Sequence, residues 1–139
     1  MVKKLARTIL KELNHQDKEI SLLFVDDRQI TTLNEQYFKR SRPTNVISFP
    51  MAQGEFSEIT PQLFGDVVIS VETATREAQK SGLSFEEEVA LLLIHGILHL
   101  MGYDHTGRGR QEMQVVQDHL FDRLRPIRDT QPKDTRSKP

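Results

Sequence analysis

The stretch that most constrains this chain runs Val89-Ala-Leu-Leu-Leu-Ile94-His95-Gly96-Ile97-Leu98-His99-Leu100-Met101. It is apolar on almost every side of a 3.6-residue turn, and a helix of that kind has no face to give to water. It must be wrapped by other layers of the same domain. Crossing a bilayer needs about 20 apolar residues, whereas the longest apolar run here, Val89 to Ile94, is closed by His95. The segment therefore reads as the central buried helix of a soluble domain. Ser84-Phe85-Glu86-Glu87 ahead of it is a capping box, in which hydroxyl and carboxylate satisfy two orphan N–H groups, and Gly102 stops it.

The wrapping layers can be read on either side. Residues 2–14 form an amphipathic helix with Val2, Leu5, Ile9 and Leu13 on one stripe. Residues 20–25 read as a largely buried strand. Asp26 or Asp27 can cap a helix over roughly 27–38, with Ile30, Leu33 and Tyr37 inward. Val46-Ile47-Ser48-Phe49 is a short strand closed by Pro50. Met51 to Gly65 has no period, and is either a functional loop or a disordered insertion. Asp66 to Val71 is a third strand whose unbroken Val-Val-Ile run predicts two covered faces. A polar helix follows to Ser81, and residues 108–124 form a last helix with Met113, Val116, Leu120 and Leu124 inward. The expected fold is α+β in layers: a small mixed sheet of about three to four strands packed with about five helices. Residues 1–125 form one domain, a size that folds without staples, and the polar segment 126–139 reads as a disordered tail.

Composition narrows the chemistry. With no cysteine, disulfides and thiolate metal sites are excluded, so a metal must rest on His, Asp or Glu. The N-terminal MVKKLARTILKEL has spaced apolar residues and does not read as a signal peptide. Nineteen Lys and Arg stand against 20 Asp and Glu, a net charge of -1. A generic nucleic-acid coat is strongly basic, so contact with nucleic acid has to be local. Lys39, Arg40 and Arg42 are the candidate patch for RNA phosphates, against the plainer reading of a solvated loop.

His95 and His99 stand at i and i+4, on one helix face about 5–6 Å apart, and can reach one ion. Gly102 permits a sharp turn at positive φ, which lets His105 swing back as a third ligand. Three nitrogens leave one tetrahedral position open, the mark of a catalytic rather than a structural zinc, and water in that position drops toward a pKa of about 7. One Zn2+ per chain, at the C-terminal end of the central helix, is the expectation; nickel or copper also suits three imidazoles. Asp104 either orients a ligand or the water or is a turn residue. His15 and His119 have no partner at ligand spacing and read as surface or helix-face residues. Metzincin proteases share the spacing but need Glu directly after the first His as general base, and that position is Gly96.

The segment His95-Gly-Ile-Leu-His99-Leu-Met-Gly102-Tyr103-Asp104-His105 resembles the signature of the YbeY family of bacterial endoribonucleases. Arg42-Pro-Thr-Asn45-Val-Ile-Ser48-Phe49-Pro50, Leu33-Asn34-Glu35-Gln36-Tyr37 and Gly65-Asp66-Val67-Val68-Ile69 look like further family segments, in family order across residues 33–105. The resemblance implies a metal-dependent, single-strand-specific endoribonuclease with His95, His99 and His105 as ligands. It implies work in ribosomal RNA processing, namely maturation of the 3′ end of small-subunit (16S) RNA, and in ribosome quality control. The cytoplasm, the small ribosomal subunit and its proteins come with it, and no membrane does. One departure stands out: the family has an Arg tied to activity directly after the Tyr of the L-N-x-x-Y segment, and here that residue is Phe38. A metalloprotease, and a non-catalytic ribosome-assembly factor with a structural zinc, are the competing readings.

Overall fold

The computed structural model describes residues 2–50, 63–103 and 107–124. Its elements in chain order are α1 (Val2–Glu12), β1 (Glu19–Val25), α2 (Asp27–Phe38), β2 (Val46–Pro50), β3 (Leu63–Ser70), α3 (Val71–Ser81), α4 (Phe85–Leu100) and α5 (Gly107–Leu124). The α+β expectation of a small mixed sheet with five helices holds. The sheet order is β1-β3-β2, with β1 parallel and β2 antiparallel to β3.

Period-2 alternation divides the apolar residues of this sheet between two layers. Val67 and Ile69 face the larger core, where Leu5, Ile9, Leu93, Ile94, Ile97, Leu98, Met113 and Leu120 meet. Val68 and Ile47 face the other way, onto Ile30 of α2, with Leu33 and Phe49 at the margin. Helix α4 thus lies on one face of the sheet and α2 on the other. The Val67-Val68-Ile69 run is buried on both faces, as its unbroken apolar character predicts.

Local chemistry sets the boundaries. Asp26 caps α2 through a capping box with Gln29, and Ser84 caps α4 through one with Glu87. Asp27 is left for a different task. Its carboxylate accepts from Ser70 Oγ at 2.7 Å and Thr73 Oγ1 at 2.6 Å and pairs with Arg76 at 2.9 Å, tying the start of α2 to the start of α3. The Thr73 and Ser70 hydroxyls, with help from Arg76, hold the Asp27 carboxyl below its ordinary value.

Four expectations need correction. Strand β1 is an edge strand rather than largely buried: Leu23 and Phe24 are exposed. Tyr37 does not turn inward; the side chain buried beside Ile30 is Asn34. The patternless stretch is shorter than 51–65, because Leu63 to Gly65 already pair in β3. That strand ends at Ser70, which caps α3, so Val71 belongs to the helix. The rest of the 51–65 stretch and the expected tail at 126–139 lie outside the described residues.

Candidate metal centre and its surroundings

Helix α4 is fastened to the sheet between its two histidines. Ser48 Oγ of β2 donates to the Gly96 carbonyl at 2.9 Å. A Cβ on Gly96 would stand 2.8 Å from Val67 Cγ1 and 3.1 Å from Ser48 Oγ, so only glycine lets the helix come this close. The contact also decides where a side chain at this position would go: into β3. A glutamate base of the peptidase kind has no route from residue 96 to an ion held by the histidines.

On the helix, His95 and His99 stand with ring centroids 5.0 Å apart at an interplanar angle of 67°. Both are half-buried. His95 Nδ1 lies 2.9 Å from Gln117 Oε1 on α5. With a carbonyl oxygen as acceptor, Nδ1 carries the proton, and in the neutral form of that ring the lone pair is on Nε2, the tautomer that a metal-binding imidazole needs. Past the helix end, the Gly102 N–H donates to His99 O at 3.0 Å and the Tyr103 N–H to Leu98 O at 3.1 Å. This is a Schellman turn, with Gly102 at φ 99°, where the sequence places the reversal. The third expected ligand, His105, and its neighbour Asp104 lie outside the described residues. Among the described residues no set of three His, Asp or Glu side chains converges as a metal cluster.

Beside His95 opens a cavity of about 360 Å3, whose wall includes Asn45, Glu77, Lys80, Glu88, Leu91 and Gln117. Glu88 is buried on α4, two turns before His95. Burial first, and then its hydrogen bond and charge repulsion with Glu77, push the Glu88 carboxyl up to about 7. Asn45 Nδ2 donates to Glu77 Oε1 at 2.9 Å, which brings the start of β2 to this pair. Because Asn45 and Glu88 share the cavity while Ser48 meets Gly96, α4 runs in the direction of β2. His99 therefore lies toward the Phe49–Pro50 end of that strand.

The cations fall on the connection between α2 and β2. Lys39 caps α2 in the left-handed conformation, and Arg40 and Arg42 follow. All three are exposed, and none has a carboxylate partner among the described residues. Their loop is shaped by Asn34, whose Nδ2 donates to the Arg42 carbonyl at 2.9 Å and whose own carbonyl accepts from the Arg40 N–H. Phe38, at the departure from the family pattern, stacks on Phe49 with centroids 6.2 Å apart. His15 lies half-buried against Phe64, and His119 is exposed, neither of them near the α4 pair in the described contacts.

Asn34, Glu88 and Gln117 were not singled out by sequence reasoning, yet each carried a signal. Asn34 follows Ile30 by four, Gln117 follows Met113 by four, and Glu88 precedes Leu92 by four. Each is a polar residue on the inward stripe of its helix, which a domain tolerates only with a partner.

Residues 1–125 match the family model described as Endoribonuclease YbeY. The Endoribonuclease YbeY of Syntrophotalea carbinolica is 47% identical over 128 residues, covering 89% of this chain and 85% of its own length. That of Geobacter metallireducens is 47% identical over 123 residues, covering 86% and 82%. The relative from Aquifex aeolicus is 45% identical over 125 residues, covering 88% and 81%. The solution structure of TM1509 from Thermotoga maritima matches with a TM-score of 0.67 at 26% identity, over 98% of this chain and 89% of that one. With the histidine helix, the Ser48–Gly96 seam and the Asn34-shaped loop inside the matched span, the chain belongs to the YbeY endoribonuclease family.

Proposed function

We propose that this protein is a metal-dependent endoribonuclease that cuts single-stranded RNA, with ribosomal RNA as substrate and the 3′ end of small-subunit RNA as the point of action. Ribosome quality control, the small ribosomal subunit as partner and the cytoplasm as compartment belong to the same reading. No helix among the described residues is long and apolar enough to cross a membrane. The observation that carries the proposal is the His95–His99 pair on one face of α4, with the His95 ring held through Nδ1 by Gln117, in a chain of this family.

Zinc is the proposed ion, held by His95, His99 and His105, and when bound it supplies Lewis-acid polarisation of the phosphodiester. The donor set fits: imidazoles, no thiolate, and one ring held through Nδ1 by a neighbouring amide oxygen. The chain's own groups do the rest. Lys39, Arg40 and Arg42 neutralise phosphate charge and set the register of the strand. Asn34 fixes the loop that presents them. Asp104 serves as orienting group beside the third ligand.

The test pairs substrates with variants. Wild-type protein and His99→Ala are incubated with single-stranded RNA, double-stranded RNA and an unfolded polypeptide, and bound metal is counted by mass spectrometry. Wild type should carry about one metal per chain and cut only the single-stranded RNA, and His99→Ala should lose both properties while staying folded. A cut polypeptide would move the reading to a protease. Uncut RNA with an unfolded His99→Ala would leave an assembly factor with structural zinc.

A further inference from the structure

Two large aromatic rings stand in solvent next to the cationic loop. Tyr37 is 57% exposed and Phe38 48% exposed, at the C-terminal end of α2. Neither helps to fill a core. Both lean on Phe49, Tyr37 edge-on with centroids 4.9 Å apart and Phe38 nearly parallel at an interplanar angle of 26°. Phe49 is itself a half-buried member of the smaller core. The ring of Phe38 is thus propped from below by a fixed ring, and its open surface is turned outward.

What surrounds the rings points to one kind of occupant. Lys39, Arg40 and Arg42 follow at once in the chain, exposed and without a carboxylate partner among the described residues. Exposed rings bordered by unneutralised cations are complementary to a strand that is apolar on its base faces and anionic along its backbone. A protein partner would meet three uncompensated charges at the edge of the patch. The position also fits. Phe49 adjoins Ser48, whose hydroxyl holds Gly96 between the two histidines, and β2 is an edge strand. Successive residues of a strand point to opposite faces, so the rings and the histidines flank the same edge at the same end of β2. The loop from Lys39 then leads back to Asn45 in the cavity beside His95.

We infer that Tyr37 and Phe38, backed by Phe49, form a stacking platform for an unpaired base of single-stranded RNA, whose adjacent phosphates are taken by Lys39, Arg40 and Arg42. The inference rests on the endoribonuclease reading and gives it a subsite. It also gives Phe38 a function of its own: the residue holds the strand through a base rather than through a phosphate. A platform of this kind accepts any base, because every base has a π-face.

The experiment uses the full chain and two labelled strands: oligouridylate, and the same backbone with abasic residues in place of uridine. Binding is read by fluorescence anisotropy, strand integrity by gel, and the mass of the free protein by sedimentation. Wild type should bind the uridine strand about tenfold more tightly than the abasic one. Phe38→Leu, which keeps an apolar side chain and removes the ring, should erase that difference and leave abasic binding unchanged. Phe38→Trp should preserve it. Equal binding of the two strands by wild type, or a Phe38→Leu protein that still prefers uridine, overturns the platform. So does a wild-type dimer that Phe38→Leu converts to a monomer, since the rings would then be a self-association face. Cleavage is scored separately: RNA cut without base preference removes only the platform, and base-dependent binding without cutting removes only the nuclease reading.

Discussion

Nδ1 of His95 and Oε1 of Gln117 meet at 2.9 Å, and this bond couples the histidine helix to α5. Gln117→Leu keeps the approximate volume and removes the acceptor. Zinc affinity, measured by competition with a chromogenic chelator, should fall about 10–100-fold, with a circular dichroism spectrum like that of wild type. An unchanged affinity would show that the imidazole orients itself without Gln117.

Gly96→Ala sets two effects against each other. Alanine raises helix propensity by about 1 kcal/mol. Its methyl, however, meets Val67 Cγ1 at 2.8 Å in a fully buried part of the core, and overpacking of this kind costs about 1–3 kcal/mol. The clash should win, lowering the thermal midpoint. A stabilised alanine variant would mean that the helix can lift off the sheet at little cost.

Glu88 makes stability depend on pH in a definite direction. Its ordinary value of 4.5 rises to about 7 in the folded protein, so the folded state holds a proton that the unfolded chain releases. That contribution is fully present below about 4.5, declines as pH rises and is gone above about 7. Glu77, Lys80, His95 and Gln117 share its cavity, so the carboxylate, once formed, has a like charge close by. Glu88→Gln should be more stable than wild type at about pH 8, by on the order of 2–3 kcal/mol, and should flatten the pH profile between the two values. Urea denaturation across that window decides it, and parallel profiles would refute the assignment.

Asn34→Ala deletes the donor that holds the carbonyl of the exposed Arg42 and so removes the hydrogen bond made by a buried side chain. The expected destabilisation is about 0.5–1.5 kcal/mol. Trypsin should also nick the loop after Lys39 or Arg40 faster than in wild type, because that bond sets the loop's course. Equal nicking rates would show that the loop is held by something else.

The sequence made the frame readable because the strongest signals are local. The capping box at Ser84, the turn at Gly102 and the unbroken Val67-Val68-Ile69 run all act within a few residues, and each appears where its chemistry puts it. The failures are non-local. Strand β1 is apolar enough to look buried, and its exposure at Leu23 and Phe24 follows from its place at the sheet edge, which pairing alone decides. Tyr37 shares the stripe of Ile30, but its ring meets Phe49 at the margin of the small core and stays largely in solvent.

The site divides in the same way. The facing of His95 and His99 is a property of helix geometry and needs no partner to be foreseen. The Gln117 bond and the Glu77–Glu88 pair join residues from different helices, and only packing creates them. Gly96 shows the difference most clearly. In the sequence it reads as the lack of a peptidase base, whereas in the fold it is the point where helix and sheet touch.

The Ser48–Gly96 seam has a kinetic consequence. It sits in the middle of the most deeply buried helix, where Leu93, Ile94, Ile97 and Leu98 are fully covered. Segments like this open only when the whole domain opens, unlike loops and chain ends. The two histidines therefore cannot be spread apart by a local fluctuation. Amide protons of residues 94–98 should exchange at the rate of global unfolding, and an ion bound there would add its binding free energy to the same barrier.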